Sequence, residues 1–187
     1  MIAPATGYDW RHPQFWRNLF LYFWGFSLVG HVVEVFWALL GNLTGLRGSL
    51  ANTIPPFAVA APYGLGVVAL YLVLYPWVQQ KRPSLAAVFV AGALLTAAIE
   101  LICALAIVAV LGYNPFWNYS HRFLNLGGWI CLSNSLLFGA GSVVILRWAL
   151  PWAEKVLARI RPLYLNIGFW ILFVGYILVE IYIRLIR

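Results

Sequence analysis

Acidic residues are the scarcest feature of this chain. Only five Asp and Glu occur in 187 residues, and all charged types together make up 9%. A soluble domain carries roughly 25% charged residues, so this chain has too little polar surface for water. At 64% hydrophobic and a mean hydropathy of +0.87, it belongs in a bilayer. Cysteine is nearly missing too. Cys103 and Cys131 fall inside apolar runs without metal-ligand spacing, so they are expected as small buried apolar residues rather than a disulfide or metal pair. The G-x-x-x-x-G-K-[ST] phosphate loop, G-x-S-x-G and H-E-x-x-H are absent from the sequence. No catalytic residue, metal or cofactor is therefore expected, and this chain cannot hydrolyse ATP through such a loop. The N-terminal MIAPATGYDWRHPQFWR lacks a signal-peptide cleavage pattern, so the first apolar run is expected to remain as a helix.

What the chain does have is five apolar runs, approximately residues 18–40, 57–78, 85–111, 128–149 and 163–185. Each is long enough for the roughly 20 helical residues that cross a hydrocarbon core. The runs are continuous, without period-2 alternation, which excludes a β-barrel. The expected fold is an all-α, polytopic membrane helical bundle forming one domain over residues 1–187. No internal repeat is evident, and five helices do not divide into two inverted halves.

Net charge is +7. The basic residues sit at the ends of apolar runs, the pattern of topogenic charge and anionic-lipid contact rather than of nucleic-acid binding. Arg11, Arg17, Lys81, Arg82, Arg147, Lys155, Arg159 and Arg161 fall on one side of the membrane; Arg47, Arg122, Arg184 and Arg187 fall on the other. The positive-inside bias then predicts a cytoplasmic N-terminus and an external C-terminus. The stretch PWAEKVLARIRP before the last run is expected to form a short amphipathic helix on the anionic leaflet, or to dock an acidic groove on a partner. Pro55, Pro56 and Pro62 crowd the start of the second helix, where a kink or a broken entry is expected.

Two of the five acids lie deep in apolar runs. A carboxylate in hydrocarbon must face the bundle interior, find a partner or stay protonated. Helical spacing puts Ser27, His31, Glu34, Ala38 and Gly41 on one stripe of the first helix. Gly92, Thr96, Glu100 and Ala104 form a second stripe, and Cys131, Ser135, Gly139 and Ser142 a third. Small and polar stripes are what helices pack with inside lipid, so the first, third and fourth helices are expected to meet along them. Both glutamates have a functional and a purely structural reading. His31 reads as a proton relay, as a metal ligand or, more often for a lone seam histidine, as a hydrogen-bonded partner. Glu180, near a helix end, is expected to snorkel.

The remaining polar stretch, GYNPFWNYSHRFLNLGG over residues 112–128, holds five aromatics, a His, an Arg and three Asn. Trp117 and Tyr119 read either as interfacial anchors or, with Arg122 and Asn125, as part of a loop that caps the bundle or holds a polar ligand. NYS at 118–120 and NLT at 42–44 match the glycosylation sequon, a weak pattern.

These residues also carry a family resemblance. FSLVGHVVEVFW is similar to the G-W-x-x-E-x-x-Y pattern opening the ABC-transporter permeases called type IV or CmpB-like, and APYGLG resembles their P-I-Y-G-x-G. TAAIEL and FWNYSHRFLNLGGWICL then resemble an intramembrane Glu followed by W-[DN]-Y-S-x-x-x-x-N-x-x-G-R-I-C-L. The resemblance marks Glu34, Glu100, Trp117, Tyr119, Ser120, Asn125, Gly128, Ile130 and Cys131. His31 stands where the family has Trp, and Trp129 where it has Arg. The expectation is a small permease-like protein, a transporter subunit, with binding residues Glu34, Glu100, His31, Trp117, Tyr119, Arg122 and Asn125. Its partners would be membrane lipids and either a second copy or a separate ATPase. Two alternatives stay open at this point, a lipid- or headgroup-modifying intramembrane enzyme and a structural or regulatory subunit without ligand.

Overall fold

A computed structural model describes residues 10–43 and 61–186. Arg47, Pro55, Pro56, the NLT sequon and Arg187 lie outside the described residues, as do the side chains of Ala38, Gly41, Glu180 and Arg184. In chain order the elements are α1 (Pro13–Leu43), α2 (Ala61–Ala69), a π-helical turn (Leu70–Leu74), α3 (Tyr75–Lys81) and α4 (Leu85–Leu111). A two-residue hairpin follows, β1 (Asn125–Leu126) and β2 (Ile130–Cys131). Then come α5 (Leu132–Val144), a second π-helical turn (Ile145–Ala149), α6 (Leu150–Arg159) and α7 (Pro162–Ile186). Four helices are long and apolar enough to cross a membrane: Pro13–Phe36, Leu85–Leu111, Leu132–Arg159 and Pro162–Val179. With the helical residues 61–81, about five helices make up the polytopic membrane bundle expected from hydropathy.

The helix ends have local causes. Pro13 and Pro162 open α1 and α7, positions where a missing N–H costs nothing. Ser84 caps α4 by accepting from the Ala87 N–H at 3.2 Å. Gly112 ends α4 with φ +77°, and its N–H donates to the Val108 carbonyl at 2.8 Å.

Two expectations shift. The fourth helix begins at Leu132 instead of 128, because Gly127 and Gly128 take φ +60° and +76° and turn the chain through the hairpin. PWAEKVLARIRP is no separate surface helix; its first nine residues continue the fourth helix through Arg159. That helix has 28 residues, more than the roughly 20 a crossing needs, so a turn or two extends past the hydrocarbon. Among the described residues, π-helical turns lie before Pro76 and Pro151; Pro62 falls in the first described turn of α2, and the expected kink or broken entry ahead of it lies outside the described residues. Each π-helical turn ends two residues ahead of its proline. A proline removes the bond to the i−4 carbonyl and crowds it, and the wider turn absorbs the misfit.

The chain divides into two compact units, residues 1–64 with 156–187, and residues 65–155. In the first, α1 and α7 run parallel. The Arg17 guanidinium donates to Asn166 Oδ1 at 2.8 Å across 149 residues, and Phe20 packs edge-on to Phe169 at the same offset. The stripe on α1 meets the start of the second helix. Ser27 is fully buried against Gly64, and Gly30 lies against the Tyr63 ring.

In the second unit α4 and α5 pack side by side along the two stripes read from the sequence. Gly92 lies on Ser142, and Gly139 on Phe89 and Ala93, with Val88, Ala104, Cys131, Leu146 and Leu150 buried around them. Small residues let the backbones approach, and in lipid such close packing takes the place of a hydrophobic driving force.

Candidate functional site

A buried carboxylate needs donors, and a tyrosine hydroxyl supplies one without adding charge. Among the described side chains, three half-buried glutamates use this solution. In the first unit the Tyr63 hydroxyl on α2 donates to Glu34 Oε1 on α1. In the second, the Tyr119 hydroxyl donates to Glu100 Oε1 at 3.2 Å. In the same unit Tyr75 donates to Glu154 Oε2 at 2.7 Å, and Tyr71, stacked on Tyr75 with ring centroids 5.4 Å apart, also hydrogen-bonds Glu154.

Glu100 stands apart in what is left over. Its Oε1 belongs to a relay in which Asn134 Nδ2 on α5 donates to the Tyr119 oxygen at 2.5 Å and Tyr119 donates onward. Its Oε2 is buried and, among the described residues, has no hydrogen-bond partner. Such an atom is costly in a low-dielectric interior. A proton or a cation on Oε2 removes the cost.

The loop that brings Tyr119 over α4 is tied by its own side chains. Asn118 Oδ1 accepts from the Ser120 N–H at 2.9 Å, and the Tyr119 N–H donates to the Gly128 carbonyl at 2.7 Å. Asn125 knots the turn: its Nδ2 donates to the Ser120 and Arg122 carbonyls at 3.1 and 2.9 Å, and its Oδ1 accepts from the Gly128 N–H at 3.1 Å. Trp117 Nε1 donates to the Trp129 carbonyl at 2.9 Å. A Cβ on Gly128 would fall 2.9 Å from Asn118 Oδ1 in a left-handed backbone conformation, so this position needs glycine. The Trp, Tyr, Gly and both Asn of the loop motif therefore each have a bond or a conformation to supply, and Ser120 contributes its main-chain N–H and carbonyl.

Of the residues singled out from the sequence, Glu100 and Tyr119 touch directly, while Trp117 and Asn125 hold the loop that carries Tyr119. Arg122 is exposed and contributes its backbone carbonyl to the Asn125 knot. Glu34 and His31 belong to the first unit. Glu34 takes its donor from Tyr63, and His31 Nδ1 is buried without a hydrogen-bond partner among the described residues. No group of three or more His, Cys, Asp or Glu capable of holding a metal ion occurs among the described residues.

Sequence reasoning missed Tyr63, Asn134 and the Glu154 site. Tyr63 stood inside the quoted APYGLG, and Asn134 lies three residues after Cys131, in the loop motif's continuation. Glu154 looked like one more charge on a surface helix.

Tyr119→Phe keeps the ring and removes the hydroxyl that joins Asn134 to Glu100. It is expected to lower stability by about 1–3 kcal/mol, the cost of stranding a buried partner. Thermal denaturation in mild detergent would show this as a lower midpoint; an unchanged midpoint would mean the relay does not hold loop to helix.

A family model described as "Putative ABC-transporter type IV" matches residues 21–184. No curated protein and no solved structure matches the chain.

Proposed function

The chain belongs to the family described as "Putative ABC-transporter type IV", and from that premise we propose that it is the membrane subunit of a transporter whose intramembrane polar site centres on Glu100. The observation that carries this is the asymmetry of the Glu100 carboxylate, with one oxygen held by Tyr119 and the other buried and open to a proton or cation. An intramembrane acid with a free, buried oxygen is what a coupling-ion or substrate contact requires. Tyr119 and Trp117 close the site from the loop side, and Asn134 sets the direction of the Tyr119 hydroxyl. Glu34, with Tyr63 and His31, forms a second polar position in the other unit; Arg122 and Asn125 shape the loop.

The protein resides in the cell's inner membrane as a single membrane domain, with its N-terminus cytoplasmic and its C-terminus external. Support comes from the basic residues and from the parallel course of α1 and α7. Two helices that point the same way need an odd number of crossings between them, and residues 61–81, 85–111 and 132–159 make three. A bundle of five helices is small for a translocation path, so the working unit includes a second copy. Without a phosphate loop in this sequence, energy comes from a separate ATPase that docks on the cytoplasmic loops.

Purification from native membranes in mild detergent, followed by mass spectrometry, tests the assembly. A stoichiometric ATPase is the expected companion. Recovery of the chain with lipid alone would overturn the ATP-driven reading.

A further inference from the structure

The two helices that flank the 112–131 loop, all within the second unit, do not end level. Gly92 on α4 lies on Ser142 of α5, and further along the same antiparallel pair Glu100 and Asn134 meet at the Tyr119 hydroxyl. Leu132, the first residue of α5, is therefore level with a residue near 102 of α4, about two to three turns short of its end at Leu111. The exposed Lys81 and Arg82 mark the headgroups at the opposite end of α4. Counted from Leu85, the start of α5 stands about 26 Å along α4, inside a hydrocarbon core of about 30 Å, and any tilt brings it deeper. The hairpin runs directly into α5, with Asn125 opposite Cys131 and Leu126 opposite Ile130. We propose that this loop is re-entrant: Phe123, Leu124 and Leu126 lie among the acyl chains of the leaflet at the C-terminal end of α4, and one phospholipid acyl chain fills the cleft between hairpin and α5. The proposal holds whatever the Glu100 site carries.

Irregular backbone at membrane depth must find its hydrogen-bond partners within the protein. In this loop the N–H groups of Tyr119, Arg122 and Trp129 donate to the carbonyls of Gly128, Tyr119 and Leu126. The side chains of Asn118 and Asn125 take the part that water plays in a surface loop. They accept from the N–H groups of Ser120 and Gly128, and Asn125 also donates to the carbonyls of Ser120 and Arg122. Polar side chains are thus spent on the backbone.

The rim that remains is apolar. Phe123, Leu124 and Leu126 are 78%, 66% and 58% exposed, a poor surface to offer water and a matched one for acyl chains. Leu124 takes φ +47°, a costly backbone conformation for leucine. It lines a cleft of about 270 Å³ together with Leu126, Ile130, Leu132, Cys131 and Ser135. The cleft joins the side of α5 on which Leu132 and Leu136 are exposed. Continuity with that lipid-facing side, at hydrocarbon depth, makes an acyl chain its occupant rather than a second copy. Arg122, exposed beside the rim, is long enough to carry its guanidinium to the headgroups.

The unmodified chain, reconstituted in phosphatidylcholine vesicles whose acyl chains carry a diazirine, tests both parts by photolysis and peptide mapping. Label is expected on Phe123, Leu124, Leu126 and Leu132, at yields comparable with Val90, an exposed residue within α4. Label on Val90 with none on residues 123–126 would overturn the insertion, and label on the rim without Leu132 would overturn the occupied cleft. Spin labels give a second readout, in a Cys103→Ala chain that keeps the buried Cys131. A nitroxide at Phe123→Cys or Leu126→Cys should collide more often with oxygen than with a water-soluble nickel chelate, as at Val90→Cys. Gln80→Cys, at an exposed position beside Lys81, should show the opposite order. Preference for the chelate at the rim would put the loop in water, and shielding from both probes would put it under protein, a second copy included; either result overturns the proposal.

Discussion

Glu100→Gln is expected to leave the fold intact and to weaken ion- or substrate-dependent transport about ten- to hundredfold. Glutamine keeps a carbonyl oxygen that can accept from Tyr119, so the tie between loop and α4 survives. What disappears is the acidic oxygen that has no other partner. Hydrogen bonds to a charged group contribute about 1.5–3 kcal/mol, and each 1.4 kcal/mol corresponds to about a tenfold change in affinity. The assay is uptake or efflux by the reconstituted assembly with protons, sodium or potassium as the candidate coupling ion. A carbodiimide, which attacks protonated carboxyl groups in apolar surroundings, gives a second readout. Peptide mapping should find the label on Glu100 in the unmodified chain, and a bound coupling ion should protect against it. Glu34→Gln and Glu154→Gln should retain that labelling. Full transport by Glu100→Gln would instead make Glu100 a structural hydrogen-bond acceptor.

The second large effect concerns two G-x-G pairs in which only one glycine is needed. A Cβ on Gly64 would meet the backbone oxygen of Phe23 and lie 2.8 Å from Phe23 Cδ2, whereas a Cβ on Gly66 would have nothing within 4 Å. The same contrast holds for Gly139, whose added Cβ would sit 3.1 Å from the Phe89 carbonyl oxygen, and Gly141, which faces open space. Gly64→Ala and Gly139→Ala are expected to destabilise by about 1–3 kcal/mol, because overpacking a tight seam moves backbones apart. Gly64→Ala should be the worse, since a main-chain oxygen cannot rotate away. Gly66→Ala and Gly141→Ala should be neutral or stabilising by up to about 1 kcal/mol, the helix preference of alanine over glycine. Thermal midpoints in one detergent would rank all four. Equal loss at both members of a pair would mean that helix packing does not decide these positions.

Much of the site was legible along the chain. Glu100 is conspicuous because an acid in a 27-residue apolar helix has few other reasons to be there, and the loop from Trp117 to Gly128 stands out by its density of donors. The stripes through Gly92 and Ser142 followed from helical period, and they do pack on each other. The identity of each carboxylate's donor was not legible. Tyr75 and Glu154 are 79 residues apart, and Tyr63 and Glu34 are 29 apart. Nothing in the local pattern distinguishes these tyrosines from the others in the ten that the chain contains. Continuation of the fourth helix to Arg159 was hidden for a related reason: Pro151 reads as a stop, and only a π-helical turn before it lets the helix run on.

Sequence alone determined that this is a polytopic helical membrane protein, where its five apolar runs lie, and which acids are out of place in them. Those properties sum over neighbouring residues, since transfer into hydrocarbon depends on composition and length. Tertiary structure alone decided that Tyr63, Tyr119 and Tyr75 satisfy Glu34, Glu100 and Glu154, and that one oxygen of Glu100 is left over. Hydrogen bonds have short range and fixed direction. Which ones form depends on how distant helices are rotated against each other, and that rotation is settled by packing.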